Sequence, residues 1–297
     1  MYSENQIREL FGDDSLQYVK RKHRGGASNE KGNAYENFYA IYKIATLAAS
    51  AIEQQTEIKF YSQILSFVDD LIIFYEAENR LQHHQLKNSS NVIWGTGPKS
   101  IADDFQKQQA LNQSMGKSSE MRLVVSDSQL QQRLSDDCLQ NIKEFSQAVY
   151  FPHRESLMQV VNTLPEFREA IKYLCAFEEP EPDKIECVAK VLLGAWVAEA
   201  KADVSLKDIL TKAQSSSPSF IRSFDDTLLL DPEVAGILSN ITGLRYSLSK
   251  GFLHWQYGNN IDRGTIPYPI GHPNFNRFQE RIKASNPETF EAFEVLL

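Results

Sequence analysis

The sequence predicts an α/β fold with a mixed sheet in the first half of the chain, followed by a mainly α-helical C-terminal domain. Two patterns indicate the first half: apolar residues at helical spacing around residues 32–53, and short apolar runs of strand length after them. A third pattern, the helical spacing that dominates beyond Leu139, indicates the second half. We therefore place a domain boundary near residue 150 and expect domains at 1–150 and 151–297.

Composition limits the class of protein. Of the 297 residues, 42% are hydrophobic, which is enough to bury a core. The 31 Lys and Arg residues against 39 Asp and Glu give a formal net charge of −8, which argues against a protein that coats nucleic acid or anionic lipid with its whole surface. The sequence has no long apolar stretch and no export signal, and its three cysteines are far apart. We therefore expect a cytoplasmic protein without membrane contact.

The first predicted elements are a helix and a strand hairpin. The helix covers about 32–53, with an apolar stripe formed by Phe38, Ile41, Tyr42, Ala45 and Ala48. Strands are predicted next at 58–61 and 71–75, where apolar residues cluster. The polar segment 76–79 is a plausible turn, so 81–87 becomes the return strand of a hairpin.

The remaining elements of the first half are a loop, a helix and a strand. The polar, glycine-containing segment 88–98 predicts a loop, and 100–114 predicts an amphipathic helix. A short apolar run at 121–125 predicts another strand. The resulting order of helix, strands, helix and strand is typical of a small mixed sheet with helices on it.

In the second half, helices are predicted over 155–162, 166–177 and 183–201. Two prolines, Pro180 and Pro182, separate the last two of them. The aromatic, glycine- and proline-containing stretch 251–275 is interpreted as an ordered loop region packed on the helices. No sensor motif is recognised in this half, whose role we expect to be regulation or assembly.

Four polar residues of the first half belong together. Glu36 lies on the first predicted helix, and Asp70 directly precedes the strand at 71–75. Gln85 and Lys87 lie two residues apart on the return strand and therefore share one face of the sheet. Because a hairpin places the start of its first strand beside the end of its second, we expect Asp70 close to Gln85 and Lys87.

This set of residues suits metal-assisted phosphodiester hydrolysis. Mg²⁺, or Mn²⁺, prefers oxygen ligands and keeps several waters, so few protein ligands suffice. We expect Asp70, Gln85 and the Leu86 carbonyl to be ligands, with Asp69 as the fallback for Asp70. Lys87 would stabilise the charge that develops on the phosphate and orient or deprotonate the attacking water. Glu36 would hold a metal-bound water or a second ion.

These motifs resemble the PD-(D/E)XK endonuclease superfamily. The resemblance rests on Glu36 in its helix, on the segment 68–73 (Val-Asp-Asp-Leu-Ile-Ile) and on 84–87 (His-Gln-Leu-Lys). The Q-x-K version is similar to Mrr-type restriction endonucleases and to the nuclease domains of bacterial antiphage effectors, as in Lamassu- or CBASS-type defence. The resemblance covers about residues 25–130. Gln85 departs from the acidic residue that is common at this position, which puts metal affinity in question.

The resemblance implies a restriction-endonuclease-like fold and a Mg²⁺-dependent DNA endonuclease that acts on double-stranded DNA. It also implies restraint by a partner, so we expect a homo-oligomer, a regulatory sensor subunit such as an SMC-like ATPase, or both. Two other classes of protein stay open: an inert nuclease-fold scaffold that mediates assembly, and a helical adaptor in which the Q-x-K triplet is a coincidence.

Several weaker features could contact DNA. The basic run contains Lys20, Arg21, Lys22 and Arg24, and Lys99 follows the predicted loop. These cations could bind phosphates, although a solvated run of charges is an equally good interpretation. We interpret His83 as a polar surface residue. Trp94 could either stack on a base or support its loop.

Overall fold

The computed structural model describes residues 2–25, 30–199, 202–216, 219–225, 227–258 and 261–297. The chain divides into two compact units. Unit 1 consists of Met1–Phe167 with Leu192–Ile209, and unit 2 of Arg168–Val191 with Leu210–Leu297. The first unit therefore continues beyond residue 150 and is discontinuous, because it also includes the later segment Leu192–Ile209. In the described ranges, no helix is both long enough and apolar enough to span a membrane.

Unit 1 and the first part of unit 2 contain both helices and strands. Their bounds, in chain order, are α1 Glu4–Gly25, α2 Glu30–Glu53, β1 Ile58–Tyr61, β2 Leu71–Tyr75, β3 Arg80–Lys87, α3 Ile101–Ser114, β4 Ser118–Val125, α4 Ser128–Asp136, β5 Ser146–Tyr150, α5 Leu157–Thr163, α6 Pro165–Leu174, α7 Pro182–Val197, β6 Ala202–Ser205 and α8 Leu206–Gln214. The predicted order of helix, strands, helix and strand in the first half agrees with α2 to β4.

A six-stranded mixed sheet forms the centre of unit 1, in the order β5-β4-β3-β2-β1-β6. Strands β1, β2 and β3 run antiparallel to their neighbours in this meander, whereas β3, β4 and β5 are mutually parallel. Strand β3 therefore lies inside the sheet, with six consecutive buried residues from Leu81 to Leu86. Such a strand is buried on both faces because helices cover the parallel part of a sheet.

Helix α1 was not predicted, because the sequence interpretation treated its residues only as a basic cluster. It bends at Gly12, whose φ of 78° falls in the left-handed region that glycine adopts without steric cost. Its apolar residues Ile7, Leu16 and Val19 are buried in the core of unit 1, together with Phe105 of α3. This packing turns Lys22, near the C-terminal end of α1, toward the sheet, whereas Arg21 stays exposed.

Unit 2 contains a second sheet, which corrects the prediction of an ordered loop at 251–275. Its strands are β7 Leu244–Ser249, β8 Phe252–Tyr257 and β9 Asp262–Thr265, arranged in that order. The helices around it are α9 Pro232–Asn240, α10 Pro273–Ser285 and α11 Phe290–Glu294. The aromatic residues that suggested a loop alternate along β8, where Trp255 and Tyr257 pack on a core that includes Phe290.

Candidate active site

The hairpin register places Asp70 against the end of β3. Leu71 pairs with His84, so β2 begins where β3 still has three residues to run. The Leu86 N–H therefore meets no β2 carbonyl and donates instead to Asp70 Oδ2 at 2.6 Å. The Gln85 side-chain amide donates to the same oxygen. Asp70, Gln85 and Leu86 thus meet at one end of the sheet.

Glu36 reaches the same end from α2. Its Oε2 accepts a hydrogen bond from Gln63 Nε2 at 3.1 Å. Gln63 is fixed in turn by its backbone N–H, which donates to the Asp69 carbonyl at 2.7 Å. Burial, and then repulsion from the Asp70 carboxylate, raise the pKa of Glu36 to about 7.

The two adjacent aspartates are also difficult to ionise. Burial raises the pKa of Asp69 to about 7, although the charge of Lys22 works in the opposite direction. Burial likewise raises the pKa of Asp70, against the influence of Lys87 and of the Leu86 N–H. Three carboxyl groups therefore share a poorly hydrated site whose negative charge is incompletely balanced, which is typical of a place that receives a cation or a proton.

Lys87 supplies a positive charge to this site without forming an ion pair in the described residues. It is partly buried at the end of β3. Its charge lowers the pKa of Glu36, Asp69 and Asp70 relative to what burial alone would impose. The ammonium group is therefore within electrostatic reach of all three carboxyl groups.

Lys22 of α1 closes the other side of Gln85. Its ammonium donates to Gln85 Oε1 at 2.9 Å and to Asp104 Oδ2 at 3.0 Å. The Gln85 amide consequently presents its NH₂ to Asp70 and its oxygen to Lys22. To place that oxygen on an ion at Asp70, the amide would have to turn over and bring its NH₂ against the ammonium.

The donor set suits a hard cation by type. Among the described residues, no group of three or more His, Cys, Asp and Glu is placed to hold a metal ion. The predicted set, however, has only two carboxylates, Glu36 and Asp70, with the Leu86 carbonyl. The oxygen of the predicted ligand Gln85 accepts from Lys22 and is turned away from Asp70. Carboxylates whose pKa values are raised by burial and mutual repulsion gain from a nearby divalent ion, so Asp70 and Glu36 fit that role.

The predicted DNA-binding cations occupy different environments. Lys20 pairs with Glu4 at 2.6 Å, and Lys22 is turned into the site. Arg21 is exposed, and Lys99 is exposed with its ammonium 5.7 Å from the centre of the Tyr18 ring. The side chain of Arg24 lies outside the described residues. Arg21 and Lys99 are therefore the predicted cations that can meet a phosphate in this arrangement.

Two other sequence interpretations concern buried residues. The interpretation of His83 as a surface residue is wrong: its side chain is fully buried, and its Nδ1 lies 3.0 Å from the Val68 carbonyl. The reason is that β3, which carries His83, pairs with β2 on one side and β4 on the other and is not an edge strand. Trp94 is also buried, with its Nε1–H donating to the Leu134 carbonyl at 2.8 Å. It supports its loop and is not available to stack on a base.

The sequence did not indicate that Gln63 and Asp104 shape the site. It indicated Lys22 only as a cation for phosphate, not as a residue that points into the site. Tyr18 and Lys22 are four residues apart in a helix and both contact Asp104, the Tyr18 hydroxyl at 2.9 Å. That spacing is a usable signal once α1 is recognised. Gln63 carries no such signal, because it acts from a loop position with a φ of 55°.

No protein-family model, curated protein or solved structure matches this chain. The function is therefore argued from the geometry of the site.

Proposed function

We propose that the chain is a metal-dependent DNA endonuclease that hydrolyses phosphodiester bonds. One observation carries the proposal: Glu36, Asp70, Gln85 and Lys87 come from α2, the start of β2 and the end of β3, and they meet at one end of a buried sheet. The contacts that show this are the bonds to Asp70 Oδ2 and the electrostatic influence of Lys87 on Glu36 and Asp70.

Asp70, with Glu36 and the Leu86 carbonyl beside it, would hold Mg²⁺ or Mn²⁺. Such an ion polarises a phosphoryl oxygen and lowers the pKa of water bound to it. The Leu86 N–H holds one oxygen of Asp70, which leaves the other oxygen for a ligand. The raised pKa of Glu36 lets this carboxyl group accept a proton near neutral pH.

Lys87 has a separate role in this proposal. Its ammonium forms no hydrogen bond with another described residue, so it can bind a non-bridging phosphate oxygen. In a site of low dielectric constant, a positioned cation stabilises developing negative charge more strongly than it would in water.

The topology also supports the proposal. The order α2-β1-β2-β3-α3-β4, with β3 and β4 parallel, agrees with the arrangement that a restriction-endonuclease-like fold implies. The choice of double-stranded DNA as substrate, and a role as the effector of an antiphage defence complex, rest on the resemblance of the motifs. Unit 2 would serve assembly into a homo-oligomer or docking to a sensor subunit such as an SMC-like ATPase.

Plasmid cleavage tests the proposed function. The purified chain is incubated with supercoiled plasmid in Mg²⁺ or Mn²⁺, with and without EDTA, beside Lys87→Ala. The matched control is Lys59→Ala, because Lys59 lies on β1 of the same sheet and pairs with Glu57 and Glu76 at 3.6 and 3.7 Å. We expect wild type and Lys59→Ala to cleave, and EDTA or Lys87→Ala to abolish cleavage.

Because a sensor could restrain the enzyme, an inactive wild type is followed by expression of the same three variants in cells that contain the neighbouring genes. Toxicity that depends on Lys87 supports the nuclease. Equal behaviour of wild type and Lys87→Ala in both assays contradicts it and favours the inert scaffold.

A further inference from the structure

Four oxygen atoms surround the ammonium group of Lys22. Phe67 O, Gln85 Oε1 and Asp104 Oδ2 lie 2.5, 2.9 and 3.0 Å from Nζ. Asp69 Oδ1 lies 3.9 Å from it, beyond hydrogen-bond distance. We call these four oxygen atoms the oxygen cage. The cage consists of two carboxylates, one amide oxygen and one backbone carbonyl, gathered from the segment before β2, from β3 and from α3.

The oxygen cage is more negative than its occupant. Two carboxylates face a single positive charge, and their side chains are almost fully buried: Asp69 is 2% and Asp104 5% exposed. Each of them keeps one oxygen, Oδ1, without a hydrogen-bond partner among the described residues. Leaving buried acceptors unpaired is costly, since folding removes the water that would have bonded to them. In Asp69, the oxygen without a partner is Oδ1, the same atom that faces the Lys22 ammonium at 3.9 Å.

Carboxylate and carbonyl oxygens are the ligands that hard divalent cations select. An ammonium group donates only three hydrogen bonds, and Lys22 uses them on Phe67, Gln85 and Asp104. A divalent ion has no such limit and would neutralise both carboxylates. We propose that the oxygen cage is a divalent-cation site that Lys22 fills, so that α1 and a metal ion compete for the same oxygens.

This site is distinct from the ion predicted at Asp70. Gln85 turns its oxygen into the cage and its NH₂ to Asp70, so the amide serves the cage in the orientation that the structure shows. Asp104 belongs to the cage and contacts Tyr18 and Lys22 rather than Lys87. The proposal therefore does not require nuclease activity. It makes the position of α1 a means of controlling the cation content beside Asp70.

Counting bound Mn²⁺ by electron paramagnetic resonance tests the competition. The key variant is Lys22→Met, which keeps the length of the side chain and removes its charge, with Lys22→Ala as a second variant. Lys20→Met is the matched control, because Lys20 lies on the same helix and pairs with Glu4 outside the cage. All are measured with Asp70→Asn as a common background, so that an ion at Asp70 is not counted.

We expect the Lys22 variants to bind one Mn²⁺ that the Asp70→Asn and Lys20→Met proteins do not bind, and to gain several degrees in thermal midpoint as Mn²⁺ is added. Adding Asp104→Asn should weaken this binding about tenfold or more, since removing a charged ligand lowers affinity for Ca²⁺-like ions. Equal Mn²⁺ content in the Lys22 and Lys20 variants would overturn the proposal. So would Lys22 variants that stay unfolded at every Mn²⁺ concentration, or an Mn²⁺ affinity that Asp104→Asn leaves unchanged.

Plasmid cleavage separates this result from the proposed function. Cleavage that depends on Lys87 can be present or absent whatever the Mn²⁺ count of the Lys22 variants. Conversely, Lys22 variants that gain no Mn²⁺, in a protein whose wild type cleaves DNA, would contradict only the oxygen cage.

Discussion

Two residues on the same face of β3, His83 and Gln85, are the centres of two different polar clusters. Both ring nitrogens of His83 are paired: Nδ1 lies 3.0 Å from Val68 O, and Nε2 lies 3.1 Å from Asn112 Nδ2 and 3.2 Å from the Tyr2 hydroxyl. Burial lowers the pKa of His83 to about 4, so the ring is neutral at physiological pH.

Around Gln85 the balance is different. Asp69 and Asp104 retain buried oxygens that have no hydrogen-bond partner in the part of the chain that the structure describes, and burial raises the pKa of Asp69 to about 7. A fully paired buried network stabilises one structure, whereas unpaired buried charge is retained at a cost in stability. We infer that the His83 cluster maintains the fold and that the carboxylate cluster serves a ligand.

The strongest expected effect is on cleavage by Asp70→Asn. The variant keeps an oxygen for the Leu86 N–H and removes the charge that would bind a metal. We expect the cleavage rate to fall by about a thousandfold, since metal ligation supplies several kcal/mol of transition-state stabilisation. The free energy of unfolding should stay equal or rise, because burial disfavours the Asp70 carboxylate.

Plasmid cleavage and urea denaturation measure the two effects, and Asp262→Asn, on the exposed edge of β9, is the control. If Asp70→Asn lost stability together with activity, Asp70 would be a residue that maintains the fold, as His83 is, and not a metal ligand.

The second effect concerns His83→Ala. Removing the ring takes away the partner of Asn112 Nδ2, leaves the Val68 carbonyl with Ser66 Oγ alone, and opens a cavity. We expect the free energy of unfolding to fall by about 3 kcal/mol, the sum of an unpaired polar group and lost packing. Urea denaturation measures it, with the exposed His153→Ala as control. If His83→Ala lowered the free energy of unfolding no more than His153→Ala does, the claim that the His83 cluster maintains the fold would be contradicted.

The third effect is a pH dependence of stability. The pKa of Glu36 is raised from 4.5 to about 7 and that of Asp69 from 3.8 to about 7, so between about pH 4 and 7 the folded chain holds protons that the unfolded chain has released. The contribution of these groups to stability therefore declines as pH rises through this window. In Glu36→Gln the decline should be shallower, by at most about 1.4 kcal/mol per pH unit for each proton no longer taken up.

Denaturation midpoints measured at intervals of pH give the slopes directly. Identical slopes for wild type and Glu36→Gln would show that Glu36 ionises normally in the folded chain and is not part of a strained cluster.

The smallest effect is expected at the exposed cations. Arg21→Ala and Lys99→Ala should each weaken DNA binding and reduce the salt slope of log K by about 1, as loss of one phosphate contact does. Lys20→Ala should change the slope less, because Glu4 already pairs with Lys20. Fluorescence anisotropy at several salt concentrations checks this, in a buffer with EDTA and no divalent cation to prevent cleavage. Unchanged salt slopes in all three variants would show that Arg21 and Lys99 do not contact DNA phosphates.

Local patterns were enough to predict the hairpin and the proximity of Asp70 to Gln85. Apolar runs and a polar turn define β2 and β3, and the geometry of a hairpin then follows from a few residues. What local patterns could not predict was the burial of His83, because it depends on β4, a parallel neighbour from a distant segment. The same limit applies to Lys22, whose inward direction depends on how α1 packs.

The three-stranded sheet of unit 2 was missed for a different reason. Its strands are short and their alternating aromatic residues lie among glycines and prolines, so composition outweighed the period-two pattern. Helix α1 was missed because a run of five basic residues obscured the apolar positions Ile7, Leu16 and Val19.

Mn²⁺ binding by wild type, Asp70→Asn and Asp69→Asn tests the central claim most directly, because it needs neither substrate nor an activating partner. The account predicts that wild type and Asp69→Asn bind an ion and that Asp70→Asn does not, since Asp70 lies at the end of β3 whereas Asp69 faces Lys22. Mn²⁺ binding by Asp70→Asn that equals wild type, or a wild type that binds no Mn²⁺, would contradict the assignment of this cluster as a metal-dependent active site.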